Sequence, residues 1–452
     1  MKVLNNSILR IITLFIIGIT PLYFNYALAN DGKVLIFGIF LLLYLAMCTY
    51  RIEEAISLFL IFSYLIKFNY PIYSYVRVNH VLFLIIIVVA VLGKFKFRDF
   101  RVKVKACFSR FFILNIVFIF VMLLTSRLHS INIWDSYRVI IVYGFSIIVF
   151  IFLIIGLINK TNEERKKIIY SVLKITSLSL SIMGLFTLIG SKYLNMWDQY
   201  FNIIPSGSFL RLHFSEDPNY FGAFLLPGLI VYIYNIKSLK KHQLIEMSIV
   251  LLAFILTLSF GNFIAFFFGL LLIVLDKFKS LLKIKSLKSK INKKSKIIII
   301  AMVAVLLVCS PVIIHKFSGV IKQKQISSSE RLDVWKDGFA MNLKGVNTFL
   351  IGIGADNAKY NTSYYKKTSY PRDMHNSLLQ LYAENGVIGT FVFIAMCVML
   401  IKASKNYALE KIMLLTVLAD FIFIGMFNVF CVWYIMFAIY TITMKEVVLD
   451  EK

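Results

Sequence analysis

The stretch "FFILNIVFIFVMLLTSRLHSINIWDSYRVIIVYGFSIIVFIFLIIGLINKTNEERKK" (Phe111–Lys167) decides how the rest of the chain is read. Two apolar runs, 111–126 and 138–158, flank the polar linker "SRLHSINIWDSYR" (Ser126–Arg138) and are followed by the charged segment "NKTNEERKK" (Asn159–Lys167). About twenty apolar residues of helix cross a bilayer core. The pattern predicts two spanning helices, with the linker on one side of a membrane and the basic segment on the other.

The same alternation fills the chain. Of its 452 residues 60% are hydrophobic, against about 45–50% in a soluble domain. Further runs lie near 8–28, 33–50, 53–69, 78–93, 169–189, 219–236, 246–259, 261–276, 297–314, 386–401, 411–427 and 429–444. The fold class is therefore an all-α polytopic membrane protein with about 12–14 transmembrane helices and a large extracytoplasmic loop. The pair at 246–276 reads either as two short spans or as a re-entrant hairpin. The amino terminus, with Lys2, Arg10, the run Ile11–Ile19 and "ALA" at Ala27–Ala29, fits a signal peptide or a first span.

The formal charge is +26, but the Lys and Arg residues cluster between the apolar runs, which excludes nucleic acid as the partner they serve. With both termini in the cytoplasm, the inside segments include "KFKFRDFRVKVKACFSR" (Lys94–Arg110), "KSLKK" (Lys237–Lys241) and "KFKSLLKIKSLKSKINKKSK" (Lys277–Lys296). Roughly twice as many of the 49 Lys and Arg then fall inside as outside, the bias that orients membrane proteins. These segments also attract anionic lipid headgroups. The five cysteines show neither metal spacing nor a disulfide pattern, and four lie within apolar runs. The chain divides into a transmembrane bundle (1–314, its outer loop 190–218 contributing to the site), an extracytoplasmic loop with short helices (315–385) and carboxy-terminal transmembrane helices (386–452).

The long outer segment carries ten Lys or Arg against six Asp or Glu. Its "SSSERLDVWKDGFAMNL" predicts a helix with Ser327 and Glu330 at capping-box spacing. Arg331, Trp335 and Phe339 share one face of it. Asp333 and Asp337, four apart, read as a solvated face. "FLIGIGADNAKY" follows, and Gly352 and Gly354 predict a tight turn where backbone approaches something closely. Then "TSYPRDMHNSLLQLYAENGVIG" (Thr368–Gly389) predicts a helix capped by Asp373 and stopped at Asn385–Gly386. His375 would lie in its first turn. There the positive end of the helix disfavours imidazolium and leaves a neutral proton acceptor. Arg372 and Asn376 stand beside it. In the shorter outer segment, "GSFLRLHFSEDPNYFGAFLLPG" sets Arg211 and His213 before Asp217, Pro218 and Asn219. Several arginines, one candidate neutral histidine and the absence of any metal-ligand spacing suit an anionic ligand bound without a metal or other cofactor. A guanidinium fork fits phosphate oxygens, and a diphosphate needs two or more.

In order and spacing these residues resemble the O-antigen polymerase and ligase superfamily of Wzy-type polymerases and lipopolysaccharide ligases. Its pattern is an Arg and Trp near the start of a large outer loop, a Gly-x-Gly turn, His-Asn, then Glu-x-Gly. Here those are Arg331, Trp335, Gly352, Gly354, His375, Asn376, Glu384 and Gly386. The earlier Arg and Asp/Asn-Pro-Asn match Arg211, Asp217, Pro218 and Asn219. One position departs: where relatives often carry Ser-Arg-Gly, this chain has Ser259, Phe260 and Gly261, so Arg138 or Arg372 would have to replace that arginine.

The resemblance implies a metal-independent glycosyltransferase of the C-type (GT-C-like) membrane class in the inner (plasma) membrane of a bacterial cell. Its donor would be an undecaprenyl-diphosphate-linked glycan on the outer leaflet, with a chain-length regulator and a flippase as further partners. His375 would be the general base, Arg211 and Arg331 the first diphosphate contacts, and Asn376 and Glu384 supports for the histidine helix or the acceptor hydroxyls. A polymerase extending a lipid-linked repeat unit leads. A ligase moving a finished glycan to another acceptor shares every residue with it. A lipid-linked glycan flippase is the reading from another class, with Lys67, Lys174 and Asp420 inside spans but no internal repeat.

Overall fold

A computed structural model of the chain describes residues 56–57, 60, 71–73, 76–77, 110–157, 160–194, 205–206, 209–210, 212, 218–283, 331–369, 374–423 and 430–444. The apolar runs before residue 110 and at 297–314 fall almost wholly outside these, as do Arg211, His213, Asp217, Arg372 and Asp373. Among the described residues the architecture is helical, apart from two antiparallel pairs of two or three residues each, Pro71–Tyr73 with Val76–Arg77 and Pro205–Ser206 with Phe209–Leu210. We number the longer helices α1 (Arg110–His129), α2 (Ile133–Leu157), α3 (Asn162–Leu194), α4 (Pro218–Tyr234), α5 (Lys241–Leu256) and α6 (Phe260–Lys283). Between α6 and the carboxy-terminal helices follow α7 (331–342), α8 (Val346–Ile351) and α9 (Ser363–Thr368). The carboxy-terminal set is α10 (Ser377–Ala403), α11 (Ala408–Phe423) and α12 (Phe430–Thr443).

Four stretches are long and apolar enough to cross a membrane among the described residues: Arg110–His129, Asn162–Phe186, Phe260–Phe278 and Ser377–Ala403. The protein is an all-α, multi-pass membrane protein. Its helices turn apolar side chains both inward and outward. Phe118 and Met122 of α1 are buried while Phe120, Leu123 and Leu128 of the same helix are exposed. A soluble bundle would show water a polar face there; lipid accepts this one. The run at 246–276 resolves into two helices, α5 and α6, joined by a turn at Thr257–Ser259 in which Leu258 takes a left-handed φ of 50°. Both pack on α4, and each helix extends beyond its apolar run into flanking polar residues.

Side-chain bonds fix which helix ends lie together. Asn162 donates to Tyr407, Tyr170 to Glu410 and Tyr234 to Asp276, joining the start of α3, the start of α11, the end of α4 and the end segment of α6. The buried Arg165 donates to the carbonyls of Leu157 (3.0 Å) and Met444 (2.9 Å), tying the ends of α2 and α12 to the same layer. That end carries the short basic linkers around Lys160, Lys237 and Lys402. The opposite end holds the end of α1, the starts of α2, α4, α6 and α10, and the whole of α7–α9.

Candidate functional site

At this opposite end two short motifs far apart in sequence interlock. The backbone N–H of Ile353 donates to Ala383 O and that of Gly354 to Glu384 O, each at 3.0 Å. Those carbonyls are available because α10 breaks at Gly386 (φ 62°, ψ −167°) before continuing as a span. Gly352 (φ 82°) lies so close that an added Cβ would stand 2.4 Å from the Glu384 carbonyl. A Cβ at Gly386 would meet Leu350 O at 2.4 Å. The expected close approach at Gly352 and Gly354 is thus to the Glu384–Gly386 segment and, for Gly354, to Ser130 on the α1–α2 linker. Asn385–Gly386 marks a kink rather than the helix stop read from sequence, since a left-handed glycine can redirect a helix whose next residues again favour one.

Glu384 is fully buried, and Gln380 Nε2 donates to its Oε1 at 2.9 Å. It faces inward at the interlock, nine residues on from His375. At about 1.5 Å of rise per residue that is on the order of 13 Å deeper along α10.

The start of α10 differs from expectation. Asn376 is the cap: its side chain accepts from Leu379 N at 3.0 Å, and its own backbone is extended. His375 therefore precedes the helix instead of sitting in its first turn, in a left-handed conformation with φ 50°. Cap geometry needs a short side-chain acceptor three residues before the N–H it satisfies, and Asn376 meets that need nearer the helix than Asp373 does. On the other side of His375, the Trp335 indole N–H donates to Met374 O at 2.7 Å. Val334 and Met341 of α7 pack with Met374, Leu379 and Ala383 in a small core of their own. The histidine is held by its two neighbours in the chain, half-buried between them. Arg331, also half-buried, lies one helical turn before Trp335.

The α1–α2 linker supplies the other wall. Asn357 is fully buried: its Oδ1 accepts from Asn132 N at 2.8 Å, and its Nδ2 donates to Ser136 Oγ at 2.7 Å and to Ala355 O at 2.9 Å. His129 Nδ1 lies 2.7 Å from Gly352 O, so that nitrogen carries the proton. Beside them Lys359 pairs with Asp356 (2.8 Å) and Asp135 (3.2 Å). Burial pushes the Asp356 carboxyl up, and Lys359 offsets only part of this. Burial also disfavours the Lys359 ammonium, but the charges of Asp356 and Asp135 outweigh it and hold the group above the usual lysine range. Arg138 faces the same carboxylates, 3.6 Å from Asp356 and 3.9 Å from Asp135.

Asn219 belongs to a second cluster at this end of the bundle. Its Oδ1 accepts from Ser259 Oγ at 2.6 Å, and Asn262 Nδ2 donates to its carbonyl at 2.9 Å. The Asp/Asn-Pro-Asn residue and the segment that departs from Ser-Arg-Gly are thus neighbours, with the Phe260 side chain exposed. Leu212, next in the chain to Arg211, is bound through its N–H to Leu256 O at 2.8 Å. Sequence reasoning missed Asp356, Asn357, Lys359, Ser130 and Ser136. The sign of Asp356 and Asn357 was the run of turn-forming and polar residues "GADN" that starts at the second glycine; Ser130 and Ser136 stood unmarked in the polar linker Ser126–Arg138. Among the described residues no three His, Cys, Asp or Glu side chains gather at one point.

Helices crossing a membrane, with short helices and turns gathered at one end of them, define a polytopic membrane protein. Residues 247–394, about a third of the chain, match the family model described as O-antigen ligase. Over that third of the chain the match supports a likeness to the O-antigen ligase and polymerase superfamily. No curated protein matches the chain.

Proposed function

We propose that the protein is a polysaccharide polymerase that works without a metal ion at the outer face of a bacterial inner membrane. It transfers a glycan from undecaprenyl diphosphate to the hydroxyl of a second, lipid-linked repeat unit. His375 takes the proton of the attacking hydroxyl as general base. The C–O bond to the diphosphate breaks as the new glycosidic bond forms, and the lipid diphosphate leaves with added negative charge. Arg211, Arg331 and Arg372 stabilise that charge. Arg138 already answers two carboxylates, and we assign it to holding the Gly-x-Gly turn. Trp335, Asn376, Gly352, Gly354 and Glu384 position the histidine and its helix; Asp217 and Asn219 order the segment that follows Arg211.

The observation that carries this reading is the backbone of His375. A bulky residue at positive φ is disfavoured and persists where its surroundings over-determine it, commonly at functional sites. The Trp335–Met374 bond and the Asn376 cap hold it on either side. His375→Ala is expected to abolish glycan transfer while the protein still inserts at normal levels. Arg211→Lys and Arg331→Lys should each lose most activity, since a point charge does not replace a planar fork. Normal polymer from His375→Ala cells would sink the base assignment.

The family description favours a second reading, ligation of a finished glycan to another acceptor. The lipid-linked pool of a deletion strain separates the readings. Accumulated single repeat units mean a polymerase, long lipid-linked chains mean a ligase, and units trapped on the inner leaflet mean a flippase.

A further inference from the structure

Around the interlock the molecule shows apolar side chains where an extracytoplasmic loop should show polar ones. Leu343, in the turn before α8, is 73% exposed; Val346 of α8 is 74% exposed, and Phe349 and Leu350 of that helix are also exposed. Their neighbours in the structure fix their depth. Ile351 O accepts from Thr125 of α1 at 2.7 Å, and Leu350 lies against Gly386, where the spanning part of α10 begins. At that level α1 exposes Leu124 and Leu128, and α10 exposes Val387, Ile388 and Phe391. The exposed apolar residues of α8 therefore lie at the same level as those of two spanning helices, with Asn347 and Arg127 among the exposed polar residues there. The α1–α2 linker adds a second sign. Its Trp134 is 67% exposed, and through Asn132 and Asn357 it is tied to the same turn. Exposed tryptophan is enriched at the headgroup level of membranes.

We infer that Leu343–Leu350 is an in-plane anchor whose occupant is the outer leaflet of the bilayer itself. Val346, Phe349 and Leu350 enter the boundary between headgroups and acyl chains, and the exposed Lys344 reaches the lipid phosphates. The anchor sets the Gly-x-Gly turn and the α10 kink at the depth of the headgroups. A lipid-borne substrate would then meet the site without leaving the membrane. The inference rests on the membrane class of the protein and, for the choice of leaflet, on the proposed orientation, and does not draw on the transfer chemistry.

Tryptophan quenching tests it on the full chain in nanodiscs, where both faces are open to solvent. The emission added by Val346→Trp, and separately by Leu343→Trp, is measured against the wild-type protein. Lipids brominated high on the acyl chain should quench most of that added emission, and aqueous iodide little of it. Lys367→Trp, on the polar surface of α9, should show the reverse. The inference is overturned if iodide quenches Val346→Trp as strongly as Lys367→Trp. It is equally overturned if neither quencher reaches Val346→Trp or Leu343→Trp, which would mean that protein covers the face.

Discussion

His375 holds a φ of 50°, a region that costs residues other than glycine about 1–2 kcal/mol and that asparagine tolerates better. This separates its role in the fold from its role in chemistry. His375→Asn keeps a polar side chain and suits the backbone, but asparagine accepts no proton at neutral pH. The variant should melt in detergent at or slightly above the temperature of the parent and yet transfer no glycan. A variant that both unfolds early and loses transfer would make the residue structural. The histidine could be picked out in the sequence because it stood beside Arg372 and Asn376 at a predicted helix start. Its conformation could not. Whether Asn376 or Asp373 caps α10 depends on where Trp335 pins Met374, a contact across 39 residues.

At the scale of elements, the Gly-x-Gly turn and the Glu-x-Gly kink are two halves of one contact. Each half requires a glycine because the other half's backbone fills the space a Cβ would take. Gly352→Ala and Gly386→Ala should each lower stability by about 2–4 kcal/mol, combining strain at positive φ with overpacking. Once either has separated the turn from the kink, the second has little left to disturb. The double variant should therefore cost close to the larger single cost, and a thermal-unfolding cycle in detergent measures it. Strict additivity would show that the contact is not shared. Both glycine motifs were legible, because turns leave glycine in the sequence. That they bind each other was not legible: the bonds run from backbone to backbone, which no side-chain pattern records. The Asn357 hub was hidden for a related reason. Its partners Asn132, Ser136 and Ala355 are common residues whose importance comes from meeting around a buried amide.

Over the whole molecule, the spans were the most legible feature, since lipid demands long apolar runs and cytoplasmic linkers collect Lys and Arg. What closes the basic end was less apparent. Arg165 reads as one more inside charge, but it is fully buried and bonds the carbonyls that end α2 and α12. Arg165→Ala leaves those carbonyls without their donor and should cost about 3 kcal/mol, with Arg165→Lys recovering only part, as unfolding in detergent would reveal. The same layer bears on orientation. It joins the short basic linkers at one end, while α7–α9 and the His375 turn lie at the other. A membrane-impermeant thiol reagent applied to intact cells discriminates the two ends. Lys367→Cys on α9 should label before lysis and Lys405→Cys, between α10 and α11, only after it. The native cysteines lie in apolar runs or in the Lys94–Arg110 linker, so the unmodified chain sets a low background. If Lys405→Cys labelled first, the arginines and His375 would face the cytosol. A site there could not meet a glycan displayed on the outer leaflet, and the transfer reaction would have to be abandoned whatever the local geometry of the histidine.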